Sequence, residues 1–341
     1  MVYELDEDKM IGDYIEWTEL PSFFSSFPKL ANLDLSGCYS LQNLYGLVNC
    51  KNITNLSLRV DTLENIDTLT SLTKLTSLLF HDWNRFRLSE KGTKGDGGYY
   101  GNSLENVDAL TNLTNLNELY VHANNFAVKP ANEKMSTRKK VSEYQDKIRF
   151  VMALRDGDTE LLNDYKDSIS IDLSGCNSLK NVDYLSNFTN ITSLDLGGCG
   201  SLQNVDGLEK CTKLTKLNLS GCESLQNVDG LANCIKLTNQ NLDFCSSLQN
   251  VDGLTKYTKL TNLILSYNNS LQNVDGLAKC TNLTNLDLSS CNSLQNVNGV
   301  AGLVNLTNLN LYRCKSLRPI PTPETMTTRS EVEAYQVKVM K

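Results

Sequence analysis

Residues 214–236 read LTKLNLSGCESLQNVDGLANCIK, and the 23 residues from Ile191 read ITSLDLGGCGSLQNVDGLEKCTK. The same register continues from Leu237, Leu260 and Leu283, and Leu306 opens a further copy. Self-similarity at so short a period marks stacked supersecondary units, none of which can bury its apolar side alone. Looser copies open at Leu30, Ile53, Leu75, Leu116 and Ser168, which brings the strand segments to eleven, approximating LxxLxLxx(C/N).

With the first residue of each copy as position one, the physics of the unit follows from its alternation. Leu217 and Leu219 point to one side of an extended segment, and Lys216, Asn218 and Ser220 to the other. Neighbouring copies then lie side by side as parallel strands at ~4.8 Å spacing. The second half, SLQNVDGL, adds Leu225, Val228 and Leu231 to the same core. A Gly and an Asp in so short a return favour an irregular or 3₁₀ path over a full α-helix. Gln240 stands where the pattern asks for leucine, and a buried amide there needs a partner or costs ~1–3 kcal/mol.

The eleven cysteines follow the same register. Cys38, Cys176, Cys199, Cys222, Cys245, Cys291 and Cys314 share position nine, and Cys50, Cys211, Cys234 and Cys280 share a second column. No CxxC pair suggests zinc, so the thiols read as small buried hydrophobes suited to a reducing compartment, with metal or redox chemistry as the alternative.

These residues resemble the leucine-rich-repeat superfamily. The short Leu-x-x-Val-x-x-Leu return is most similar to the SDS22-like and internalin-like class, here with a cysteine ladder, and the resemblance covers roughly residues 30–125 and 168–320. It implies an α/β repeat solenoid: a curved array with a parallel concave β-sheet, short irregular or 3₁₀ convex returns and inserted helical segments. It also implies a non-enzymatic module that binds protein on the exposed strand face.

The expected organisation is an N-terminal cap (1–29), a first repeat block (30–125, with a loop insertion at 84–102), a helical insertion (126–167), a second block (168–320) and a C-terminal helix or cap (321–341). Within the insertion, Val141, Tyr144, Ile148 and Val151 fall on one helical stripe that Ser136 or Thr137 is placed to cap. The segment Met135–Ile148 is matched by Met326–Val339. The pair reads either as two end caps or as helical arms offered to a partner.

A net charge of −7 and a pI near 5.1 argue against nucleic acid as the main partner. No stretch is long and apolar enough to suggest a membrane span. The acidic start lacks the basic-then-apolar pattern of a secretory signal, so the expectation is a cytoplasmic, bacterial, monomeric protein with no cofactor and no metal.

Outward positions five and seven of the regular copies are small and weakly acidic. The irregular copies differ. Position seven carries Arg59, His81 and His122, and Tyr120 sits at position five. Asp82 and Trp83 follow His81, and Arg85 and Arg87 open the first insertion. Aromatics and arginines are what interface hot spots use, so these eight residues form the candidate partner-binding site, suited to an acidic segment of a protein. The alternatives are a bacterial effector or defence-system recognition subunit using the same surface, and a metal-dependent enzyme using His81 and His122. Asp82, next to His81 in sequence, is expected on the opposite side of the strand, which weakens the enzyme reading.

Overall fold

The computed structural model describes residues 2–6, 9–12, 17–27, 29–60, 62–81, 104, 106–122, 128–130, 134–318 and 320–339. The chain divides into two compact units, Met1–Phe150 and Val151–Lys341. In the first, β1 (Val2–Asp6) and β2 (Lys9–Gly12) form an antiparallel pair. Strand β2 then runs parallel to β3 (Asn32–Leu35), followed in order by β4 (Asn55–Arg59), β5 (Ser77–His81) and β6 (Glu118–His122). In the second unit β8 (Ser170–Asp172), β9 (Ser193–Asp195), β10 (Lys216–Asn218), β11 (Asn239–Asn241), β12 (Asn262–Ile264), β13 (Asn285–Asp287) and β14 (Asn308–Asn310) are parallel neighbours in chain order. All eleven segments read from the repeat are strands.

Each copy buries what its spacing says it should. Leu217, Leu219, Cys222, Leu225, Val228 and Leu231 are all buried, and the equivalent leucines of the other copies behave alike. The returns are 3₁₀ turns such as Asp229–Leu231. Asn227 prepares that turn by accepting the Asp229 N–H on its Oδ1 at 3.1 Å, and Asn204 and Asn250 do the same for Asp206 and Asp252. Gly230 is obligatory in the stack: a Cβ there would stand 2.0 Å from the Val205 carbonyl oxygen of the preceding copy. Neighbouring returns are also laced by main-chain bonds, Gln226 N–H to Gln203 O (3.0 Å) and Gln249 N–H to Gln226 O (3.1 Å). Copies are therefore joined along both edges.

Both units end in the same device. Strand β7 (Lys134–Met135) pairs antiparallel with β6, and β15 (Thr325–Met326) pairs antiparallel with β14. A helix follows each, α1 (Arg138–Asp156) and, after the short α2 (Thr159–Asn163) and the second sheet, α3 (Arg329–Val339). Thr137 accepts the Lys140 N–H at the start of α1, and Val141, Tyr144, Ile148 and Val151 are buried. Gln145 Nε2 donates to the carbonyls of Leu110 (2.6 Å) and Leu113 (3.1 Å), while Arg138 Nη1 donates to Leu116 O (3.1 Å). Gln336 Nε2 reaches Val300 O (2.7 Å) and Leu303 O (3.2 Å), and Arg329 Nη1 reaches Leu303 O and Leu306 O (3.0 and 3.1 Å). The matching segments thus supply, at the last copy of each sheet, the donors that a further copy would have supplied. They are end caps.

Candidate binding face

In the second unit the Asp/Asn column at position five has a local task. Asp172, Asp195 and Asp287 each accept the main-chain N–H of position seven on Oδ1 at 2.8 Å, from Ser174, Gly197 and Ser289. Asn218, Asn241 and Asn310 make the same bond at 3.1 Å. Such a side chain closes an Asx-type turn and ends the strand after three residues. The column is thus a strand terminator first and an exposed polar surface second. Ile264 alone of these cannot do this. Asp243, at position seven, is half-buried, and burial raises its carboxyl above the usual carboxylate range.

The first unit carries a different face. The strand register places Arg59, His81 and His122 in one row across β4, β5 and β6, with Ser57, Leu79 and Tyr120 in the row beside it. The residues between β5 and β6 leave the parallel pairing intact over all five positions of both strands. Arg59, His81 and Tyr120 are half-buried, and the His81 and Tyr120 rings lie 6.5 Å apart at 50°. Of the eight candidate residues, these rows bring together Arg59, His81, Tyr120 and the backbone position of His122. Asp82, Trp83, Arg85 and Arg87 lie outside the described residues, as does the 84–102 insertion. Among the described residues, no three His, Cys, Asp or Glu side chains group so as to hold a metal ion.

The cysteine columns are buried throughout. Each position-nine thiol of the regular copies donates across one repeat to the carbonyl at position six: Cys199 to Leu173 (3.1 Å), Cys222 to Leu196 (3.2 Å), Cys245 to Leu219 (3.1 Å), Cys291 to Leu265 (3.1 Å) and Cys314 to Leu288 (3.0 Å). The second column repeats the scheme at longer range, Cys234 to Leu208 O and Cys280 to Leu254 O, both at 3.4 Å. Tyr257 occupies a place in that column and its hydroxyl donates to Leu231 O at 2.8 Å. The thiols are structural donors in an apolar interior.

One column escaped the reading of the sequence. Position eight has positive φ in every copy of the second unit, first at Gly175, Gly198 and Gly221, then at Phe244, Tyr267, Ser290 and Arg313. The legible signal is the switch from glycine to large residues at a fixed position. Phe244 and Tyr267 are exposed there.

Residues 189–233 and 258–302 match the family model of leucine-rich repeats in two copies. No curated protein matches the chain. Similar solved structures include an internalin, inlF, from Listeria monocytogenes, 17% identical over 91% of this chain and 85% of that one, with a TM-score of 0.35. The functional domain of InlJ from the same organism, which includes a cysteine ladder, is 17% identical over 91% of this chain and 58% of that one, with a TM-score of 0.29. A leucine-rich-repeat protein of Leptospira interrogans is 15% identical over 91% and 90% of the two chains, with a TM-score of 0.22. The 23-residue register and the parallel ladder with its 3₁₀ returns are those of a leucine-rich-repeat solenoid, and within them residues 189–233 and 258–302 carry the family's repeats.

Proposed function

We propose that the first unit binds a protein partner on the strand face formed by β4, β5 and β6, and that it does so without catalysis. Leucine-rich-repeat domains generally mediate protein–protein interaction and are typically non-enzymatic. The observation that carries the narrower reading is the single row Arg59–His81–His122 flanked by Tyr120. A row of two imidazole-bearing residues and a guanidinium, beside an aromatic ring, suits an acidic segment carrying an apolar anchor. Asp82, Trp83, Arg85 and Arg87 extend that surface in sequence and belong to the same proposal. The small polar columns of the second unit offer no comparable anchor at positions five and seven before Tyr312.

The test is affinity capture from the native source with the full chain as bait, read by mass spectrometry. A double variant, Trp83→Ala with Tyr120→Ala, is run beside it. A partner retained by the parent chain and lost by the variant, at unchanged melting temperature, supports the site. An identical captured set removes it.

A further inference from the structure

The position-eight column presents an exposed aromatic wall at a costly backbone conformation. Phe244 and Tyr267 hold φ of 55° and 60°, a region that glycine adopts freely and a bulky residue does not. Three earlier copies use glycine at this place, so the fold does not require a ring there. The two side chains are 49% and 45% exposed and stack on each other with centroids 4.5 Å apart and planes within 5°. Strain kept together with exposed aromatic surface points to a binding role.

The stack is open at one end. Tyr267 covers one face of Phe244, and the other face looks along the column to the place that Gly221 leaves empty. A Cβ built on Gly221 meets only the Gly198 backbone, at 3.5 Å, so no ring fills that place. The gap is one repeat wide, ~4.8 Å, which is the spacing at which planar groups stack on each other.

Charge selects the occupant. From the Ser168 copy to the Leu283 copy, positions five, seven, eight and ten contain no lysine or arginine. Acidic residues flank the gap along the chain: Glu223, exposed, two residues beyond Gly221, and Asp243 directly before Phe244, its main-chain carbonyl accepting the Gly221 N–H at 2.8 Å. The Asp243 carboxyl interacts with the Asn241 side chain, and its Oδ1 is buried without a hydrogen bond among the described residues. A planar cation answers both features, and guanidinium is the planar cation that proteins carry. The chain holds an example of the pairing further along, where the Arg313 guanidinium lies 5.1 Å from the Tyr312 ring centroid.

We propose that the slot between Phe244 and Gly221 receives an arginine side chain from an extended segment of a protein partner. Its guanidinium stacks on the open face of Phe244 and pairs with Glu223, with the Asp243 carboxyl adding to the negative field. This site lies on the second unit and stands independently of the Arg59–His81–His122 row.

The experiment is a nuclear magnetic resonance titration of the full chain, isotope-labelled on its phenylalanine and tyrosine rings. The probe is an acetylated Gly-Ser-Gly-Arg-Gly-Ser-Gly peptide, with lysine and citrulline counterparts as controls. The expected result is saturable shifts at Phe244 and Tyr267 with the arginine peptide, at least ~10-fold weaker with lysine and absent with citrulline. Phe244→Gly restores the residue type of the three preceding copies, so it folds with an unchanged or higher melting temperature while saturation disappears. Gly221→Asn fills the slot with a residue tolerant of positive φ and has the same effect on binding. No saturable shift up to millimolar peptide, equal response to all three peptides, or full binding by folded Phe244→Gly overturns the proposal.

Discussion

Asn268 donates an amide hydrogen from Nδ2 to the main-chain carbonyl of Leu242, 2.9 Å away, across one full repeat. It stands at position nine, where its neighbours in the column are Cys245 and Cys291, whose thiols make the equivalent bonds at 3.1 Å. Cysteine and asparagine alternate here because both place one donor against a carbonyl that has left the strand ladder. The two differ in what they leave over. The Asn268 Oδ1 is buried with no partner among the described residues, whereas a thiol brings no comparable acceptor into the core. Asn268→Cys is therefore expected to stabilise the second unit by about 1 kcal/mol. Cys245→Ala, which strips the thiol donor from Leu219 O, leaves it the Cys222 N–H at 3.4 Å and opens a small void, is expected to cost ~1–3 kcal/mol. Urea unfolding of the two variants against the parent checks the order, and a stable Cys245→Ala would refute the donor role.

The same columns make stability depend on alkaline pH. Burial pushes the thiols of Cys234, Cys245 and Cys291 up to about 12, and those of Cys38, Cys211, Cys280 and Cys314 up to about 11. An unfolded chain ionises its thiols near pH ~8.5. The folded state thus holds protons that the unfolded state has released, and its advantage is complete below that pH and lost as pH climbs towards the folded values. The urea midpoint is expected to stay level from neutrality to pH ~8 and to fall progressively above pH ~9. Replacing Cys234 and Cys245 together by alanine should flatten that slope. Native protein at mildly alkaline pH should resist iodoacetamide, and prompt alkylation of these cysteines would contradict the buried ladder.

The repeat was legible because its information is redundant. Leu217, Leu219, Leu225, Val228 and Leu231, with their equivalents in the other copies, announce the core, and the Gly and Asp of the return favour an irregular or 3₁₀ path over a full helix, of which the structure shows the 3₁₀ turn at Asp229–Leu231. The matching helices were visible as a pair, but their purpose was not. Whether Gln145 and Gln336 cap carbonyls or face a partner depends on β7 and β15, two-residue strands too short to leave a periodicity. The hairpin of β1 and β2 left no repeat to recognise either. Among the candidate site residues, alternation alone placed Arg59, His81 and His122 in one row, because register in a parallel stack is a matter of counting. Position eight was missed for the converse reason. Its identity varies while its backbone conformation does not, and conformation is invisible in a string of letters.

Gln240 offers a direct measure of one buried amide. It occupies the strand position that leucine fills in β10 and β12, it is buried, and neither Oε1 nor Nε2 has a partner among the described residues. An amide in that state lacks the bonds it makes to water in the unfolded chain. Gln240→Leu restores the column at nearly constant volume and is expected to stabilise by ~1–3 kcal/mol. For a unit of this size that corresponds to roughly 2–4 °C in melting temperature per kcal/mol. A variant that melts at or below the parent temperature would show that the amide is satisfied in solution.

Removal of a cap should act locally, because stacked copies contact only their neighbours. Gln336 is buried at the end of the second sheet and donates to both Val300 O and Leu303 O. Gln336→Ala strips one donor from each carbonyl; Val300 O keeps the Leu303 N–H, and Leu303 O keeps the Leu306 N–H and Arg329. The expected loss is about 2 kcal/mol. Because the last copy has a neighbour on one side only, that loss falls on its opening equilibrium before it reaches the rest of the unit. Hydrogen exchange read by mass spectrometry should therefore show faster exchange in β14 and in the turn at Asn298–Val300, with β8 to β10 unchanged. Gln145→Ala is the matching experiment in the first unit, where the amide bonds Leu110 O and Leu113 O, and it should loosen β6 before β3. Uniform loss of protection across either sheet would mean that the unit opens as a single body, and that the helix stabilises the whole stack and not only its end.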